Sequence, residues 1–441
     1  MKFWLLSLYL ILFSSTSWAQ IKAYFNYNQQ AAYTDPRGTY RYGDNLEQVI
    51  IDEINSARQS IFVAVQEIRL PGIAHALVEK YRAGVDVRIV LENSYNFDAL
   101  EQRDALEETG ESSFTSLAQL VDINGNGRFE KHELETRDAI YMLRKAKVPL
   151  IDDTWDGSAG SGLMHHKFVV IDGKKTIVSS ANFTMSCIHG DLRAPNTRGN
   201  ANSLMVIESP GAARIFTQEF DQLWGRNFGQ SKTYRGPQTV TVAGQKVTIQ
   251  FSPTTRRMHW NYTVNGLAAK HLSRAQSRIN AALFVFSDQQ LGDVMKRAHD
   301  RGVGIGVLIE NNFAFRTYSE LLDMLGLQLL DPNKCIYEAN NNPWSKPIKE
   351  GGIPRMEAGD MLHHKFAVVD QKTTIFGSQN WSDSANYNND ETLIVVQSPE
   401  VAQKYNQEYA RLRKNAWFGP TPYLLKEIAR REEYCSELGQ Y

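Results

Sequence analysis

The sequence is poor in cysteine: Cys187, Cys335 and Cys435 are the three it has in 441 residues. Three thiols cannot all pair within one chain, and their spacing matches no metal pattern, so they receive no chemical role at this level. Charge of one sign is lacking as well, with a formal net charge of −1. No sustained basic stripe runs along the chain. A global attraction for nucleic acid or anionic membrane is thereby excluded, and any affinity for phosphate must be local. Nor does any later stretch approach the roughly 18 uninterrupted apolar residues of a membrane span, so no transmembrane segment is expected.

A shorter apolar run occupies residues 3–13, after Met1-Lys2 and before Ser17-Trp18-Ala19. That order of charge, apolar core and small residues predicts a signal peptide over 1–19, cut near Ala19. No cysteine follows to carry a lipid anchor. The mature protein is expected to start near Gln20 and to be secreted or periplasmic.

What the chain does have is a copy of itself. Ala57-Arg58-Gln59-Ser60-Ile61 before an apolar run is echoed by Ala275-Gln276-Ser277-Arg278-Ile279, and Gly84-Val85 by Gly302-Val303, all at an offset of 218. Farther on, His165-His166-Lys167-Phe168 repeats as His363-His364-Lys365-Phe366, at an offset of 198. Short β-rich runs alternate with amphipathic stretches such as Leu77 to Ala83 and Val294 to Arg301, which predicts βαβ units and an α/β fold in each copy. The domains expected are 20–235 and 236–441. The join falls near Tyr234-Arg235-Gly236-Pro237, just before the hairpin-like TVTVAGQKVTIQF.

The two offsets differ by 20, so the first copy holds an insertion, placed at about 112–145. Asp122, Asn124, Asn126, Glu130 and Glu133 put oxygen side chains at positions 1, 3, 5, 9 and 12 of an EF-hand-like loop. Gly127 at position 6 permits the sharp turn, and Arg128 at position 7 needs only its carbonyl. Phe114, Leu117, Ala118 and Val121 stand at helical spacing before the loop, and Leu134 follows it. Calcium is the expected ion, in a structural or permissive role; the bland alternative is a solvated acidic helix–turn–helix.

The chemistry-bearing residues are doubled. His165-x-Lys167-x4-Asp172 precedes Ser179-Ser180-x-Asn182, and His363-x-Lys365-x4-Asp370 precedes Gly377-Ser378-x-Asn380. On a strand, a histidine and a lysine two apart face one side, while Phe168 and Val170 face the packed side. One imidazole can attack phosphorus, lysine and asparagine can donate to its non-bridging oxygens, and a second imidazole can protonate the leaving alkoxide. Asp172 and Asp370 have the opposite parity; each is expected to form a structural salt bridge.

With these motifs in view, the chain resembles the phospholipase D superfamily over nearly its whole mature length. The resemblance implies two α/β/α domains related by a pseudo-twofold axis, in a monomer whose histidines meet at the domain interface. It implies a phosphohistidine intermediate formed without a catalytic metal, with His165 as nucleophile and His363 as general acid; the reverse order is the alternative. The family places a carboxylate beyond each motif to orient its histidine. Glu391 fills that place in the second copy, but Asn202 stands there in the first, which leaves open a half-degenerate site of reduced activity. The expected activity is hydrolysis of the headgroup phosphodiester of phospholipids at a membrane surface, giving phosphatidic acid. Trp155, Pro343, Trp344 and Trp381 are candidates to meet lipid, to stack bases, or simply to fill the core. The second reading is a nuclease acting on nucleic acid, and the third an inactive binding protein.

Overall fold

The computed structural model describes residues 20–109 and 115–438. The signal-peptide reading of 1–19 and the placement of Phe114 lie outside the described residues.

Each copy builds one mixed sheet, and the two sheets share a strand order. The first runs Gln20–Phe25, Ser203–Glu208, Lys175–Ser179, Lys167–Ile171, Ser60–Val65, Asp86–Leu91, Leu150–Asp152. The second repeats that sequence of seven from Gln245–Phe251 to Glu350–Ile353 and adds one strand at each edge, Gln238–Val242 and Trp417–Phe418. The predicted hairpin is present: Gln238–Val242 pairs antiparallel with Gln245–Phe251. Its two-residue turn, Ala243-Gly244, has positive φ at both positions, matching the twist of the strands it joins. The amphipathic stretches form Pro71–Arg82 and Gln289–Asp300, which pack their apolar faces on the sheets.

Both faces of each sheet are packed, and alternation along the strands decides which core each side chain enters. From Lys167–Ile171, Val169 and Ile171 join a core made by the first half alone. Phe168 and Val170 join a different one, which also takes Phe366, Val368, Tyr405 and Leu412 from the second half. The long helices Pro210–Trp224 and Pro399–Arg413 supply Phe216, Phe220 and Tyr405 to that shared core. A fully buried phenylalanine contributes roughly 1.5–3 kcal/mol, so the seam between the halves is held by ordinary core packing. Strand pairing adds to it: Asn389–Asp390 runs parallel to Leu163–Met164, and Ala201 bridges Leu362.

The insertion lies between the strands Asp86–Leu91 and Leu150–Asp152, as the helices Ala99–Thr109, Ser116–Val121, Lys131–Arg137 and Ala139–Lys145. Leu117, Val121 and Leu134 close a small core with Ala99. Two points left open by the sequence are decided here. Cys335 and Cys435 form a disulfide that ties the last helix, Pro422–Glu437, to the turn at Asp331–Ile336, and Cys187 is free and buried. Trp344 and Trp381 are buried core residues, Trp381 edge-on to Phe286 at 5.2 Å; Trp155 alone of the three is exposed, beneath the Arg226 guanidinium.

Candidate active site

His165 and His363 each stand two residues before the first residue of a central strand, where the chain leaves one half and touches the other. Their backbone amides donate across the seam, His165 to the Asp390 carbonyl and His363 to the Ala201 carbonyl, both at 3.0 Å. The side chains cross as well. His165 Nδ1 lies 2.7 Å from Glu391 Oε2, and His363 Nδ1 lies 3.0 Å from Asn202 Oδ1. Each histidine is therefore oriented by the opposite copy. This corrects the expectation that each orienting group serves its own motif: the one carboxylate belongs to His165, and His363 has the amide. Glu391 is itself fixed by the Ser378 hydroxyl at 2.7 Å and Asn389 Nδ2 at 3.2 Å. Asn202 accepts from the Ser180 hydroxyl and donates to the Cys187 and Asn200 carbonyls.

Lys167 and Lys365 are buried on the same face as their histidines, and each ammonium donates to the carbonyl of its own histidine at 2.8 Å. Lys167 also reaches Gln66 Oε1 at 3.3 Å, where the second copy instead places Phe284, its ring 4.7 Å from the Lys365 ammonium. The amide oxygens of Asn182 and Asn380 are buried without a hydrogen-bond partner. Gly377, where the first copy has Ser179, sits so close to the Thr392 carbonyl that a Cβ would collide with it.

Burial and crowded positive charge set the electrostatics. Burial, then Lys167 and Lys365, hold the His165 imidazole well below its ordinary range, and burial with the same two lysines does so for His363. Burial brings Lys167 down to about 8, and burial together with Lys167 takes Lys365 well below the usual lysine value. Burial raises Glu391 to about 7 against the pull of Lys167. Two neutral imidazoles among two lysines form a site that gains charge when an oxyanion enters. Sulfate binding near pH 6 is accordingly expected to take up protons, because the dianion lifts the depressed imidazole pKa toward its ordinary value. Calorimetry in buffers of different ionisation enthalpy reads that uptake; a binding enthalpy independent of buffer would refute it.

The flanking residues are structural. Asp172 and Asp370, both at positive φ, cap the start of the neighbouring strand. Asp172 accepts from the amides of Arg58, Gln59 and Ser60, and Asp370 from those of Gln276, Ser277 and Arg278. Burial would raise both carboxyls, but these amides outweigh it and hold them below the ordinary value. Their structural role is as expected, but their partners are backbone N–H groups rather than the cations of a salt bridge.

Sequence reading missed one cluster. Among the described residues, His166, Glu219 and Asp390 bring ligand-type atoms within 4.8 Å of one another. The Lys232 ammonium occupies that cluster, bonded to Glu219, to Asp390 at 2.7 Å and to the Ser252 carbonyl at 2.6 Å. Burial is outweighed there by Lys232 and His166, and Glu219 falls to about 2. A cation is already in place, so the cluster braces the segment that carries Glu391. The doubled His-His of the motif was the available signal, since His364 likewise reaches Glu408 at 2.7 Å.

The calcium-type residues form a helix–loop–helix. Asp122 accepts from the amides of Asn126 and Gly127, Asn124 from that of Asn126, and Asn126 from that of Arg128. Glu130 takes the side-chain amides of Asn124 and Asn126, and buried Glu133 takes the amides of Ile123, Asn124 and Glu130. Gly127 has φ +75°, the conformation its position demands. The oxygens of the predicted set are thus gathered in one tight loop, of a chemistry that fits a hard cation.

The chain matches the family described as "Cardiolipin synthase, PLD-like domain" over residues 50–224 and 269–413, once around each histidine motif. "Mitochondrial cardiolipin hydrolase" of Mus musculus is 30% identical over 154 residues, which is 34% of this chain and 58% of that protein. "Phospholipase D" of Rickettsia prowazekii is 25% identical over 193 residues, 44% of this chain and 66% of that one. The chain thus spans little more than half the length of the mouse relative. Phosphatidylserine synthase of Haemophilus influenzae shares the fold, with a TM-score of 0.53 at 12% identity over 89% of this chain and 92% of that one.

Proposed function

Since this chain belongs to the phospholipase D-like family, we propose that it is a phosphodiesterase that hydrolyses the headgroup phosphodiester of phospholipids through a phosphohistidine. The observation that carries the reading is the crossed buttressing of two buried histidines between two lysines. Glu391 on Nδ1 of His165 leaves the Nε2 lone pair free to attack phosphorus. Lys167, Lys365, Asn182 and Asn380 supply donors for the non-bridging oxygens. As the P–N bond forms, the P–O bond to the headgroup breaks, and His363, protonated when the phosphate anion enters the site, gives that proton to the departing oxygen. His363 then takes a proton from water, whose oxygen attacks phosphorus and releases His165. No step calls for a metal. The names of the relatives, a cardiolipin hydrolase and a phospholipase D, support a lipid substrate. The disulfide supports work in an oxidising compartment, secreted or periplasmic. One chain carries both motifs, so a monomer suffices.

The test is purified protein on phosphatidylcholine micelles and on plasmid DNA, with ethanol added to the lipid reaction. Phosphatidic acid together with phosphatidylethanol is expected, because a covalent intermediate can be released by either acceptor. Plasmid cleavage without lipid turnover would replace the lipid reading with the nuclease one.

For the insertion, the proposal is a structural calcium held by Asp122, Asn124, Asn126, Glu133 and the Arg128 carbonyl, with Glu130 acting directly or through water. Chelation is expected to lower the melting temperature more than it lowers the rate at moderate temperature. Glu133→Gln should weaken calcium binding measured by calorimetry; unaltered affinity in that variant would remove the loop as the site.

A further inference from the structure

We propose that the cavity between the helical insertion and the first half's active-site edge binds the polar alcohol arm of the substrate, a group bearing ammonium or hydroxyl donors. This rests on the phosphodiesterase reading and extends it to substrate choice. The cavity measures about 670 Å³, and its polar lining includes Glu67, Arg69, Tyr95, Thr184, Asp191 and Arg193 of the first half with Ser116 and Gln119 of the insertion. That volume falls within the range of small-molecule sites.

Its catalytic edge is close. Glu67 follows Gln66, which accepts from the Lys167 ammonium, and Thr184 stands two residues beyond Asn182. Arg69 joins the two walls: it pairs with Glu67 at 3.2 Å and donates to the carbonyls of Phe97 at 2.6 Å and Tyr95 at 3.0 Å, at the root of the insertion. That pairing uses one Glu67 oxygen. The other oxygen, the Tyr95 hydroxyl and the Gln119 amide have no hydrogen bond among the described residues. All three can accept a hydrogen bond, and the first belongs to the Glu67 carboxyl, whose pKa burial raises. An acyl chain placed there would leave them unpaired, whereas an amine or a hydroxyl would satisfy them.

The second half replaces these side chains. At the offset of 218, Phe284, Val285 and Ser287 replace Gln66, Glu67 and Arg69. Phe284 packs against the His363 ring at 4.7 Å. The pseudo-twofold site is thereby given one polar side, and the insertion supplies its outer wall.

The experiment compares kcat/KM for phosphatidylethanolamine and phosphatidylglycerol in detergent micelles with that for bis(4-nitrophenyl) phosphate, which carries no such arm. Gln119→Trp fills the cavity, and Glu67→Gln keeps the shape of the side chain while removing its charge. In both variants the lipid-to-diester ratio is expected to fall ten-fold or more. A larger fall for the ethanolamine lipid in Glu67→Gln identifies an ammonium donor, and equal falls a hydroxyl. An unchanged ratio in both variants, at unchanged melting temperature, overturns the subsite while leaving the phosphodiesterase reading intact. Turnover of neither lipid nor diester by the unaltered protein overturns that reading, and this inference with it.

Discussion

His165→Ala and His363→Ala are each expected to lower kcat by about 10⁴-fold or more, and the double variant by scarcely more than either alone, because groups acting as one unit lose their function together. The expectation follows from placement. Both imidazoles are buried, each is oriented from the opposite half, and burial with the same two lysines depresses both pKa values. The effect should lie in kcat, since the lysines and asparagines proposed to hold phosphate stay in place. Stopped reactions should carry acid-labile phosphate on His165 in the unaltered protein. Retained activity in either folded variant would break the model of one site built by two copies.

The second large effect concerns the unequal pair of orienting groups. Glu391→Gln keeps the hydrogen-bonding shape but removes the charge that stabilises Nδ1–H on His165, and is expected to cost on the order of 10³-fold in kcat. Asn202→Asp adds a carboxylate beside His363. That imidazole is held well below its ordinary value by burial and by Lys365 and Lys167, so the new charge should raise it. The sign then reports the role. If His363 must be protonated to act as the acid, raising its pKa moves the alkaline limb of the kcat/KM profile to higher pH. If it must be neutral to attack, the acid limb moves instead, and the assignment of His165 as nucleophile fails. Stability shifts in a defined sense too. The unaltered His363 binds its proton more weakly folded than unfolded, so acid destabilises the protein below about pH 6.5; Asn202→Asp should soften that loss in melts taken across pH.

Placing the charge on only one side also bears on the half-degenerate alternative. Asn202 is fully buried and bonded through both ends of its amide, to Ser180, His363, Cys187 and Asn200. An amide so fixed orients a ring as firmly as a carboxylate does. What it withholds is charge, and a proton donor needs that less than a nucleophile that becomes cationic does.

The sequence by itself determined the duplication, the α/β class, the doubled His-x-Lys with its asparagine, and the helix–loop–helix. Each of these is written locally: alternation along Lys167–Ile171, turn residues at Ala243-Gly244, and oxygen-bearing side chains at fixed steps from Asp122 to Glu133 follow from the chain's own geometry. The structural role of Asp172 was legible from parity, although its partners, three amides more than 110 residues away, were not. Only the tertiary structure decided which half serves which histidine. Glu391 and His165 are 226 residues apart, and a seam made by core packing brings them to 2.7 Å. The Cys335–Cys435 bond, the Lys232 brace and the burial of Trp344 and Trp381 are of the same kind. Composition and spacing state what a residue can do, whereas its partner depends on where the sheets, once folded, bury their common face.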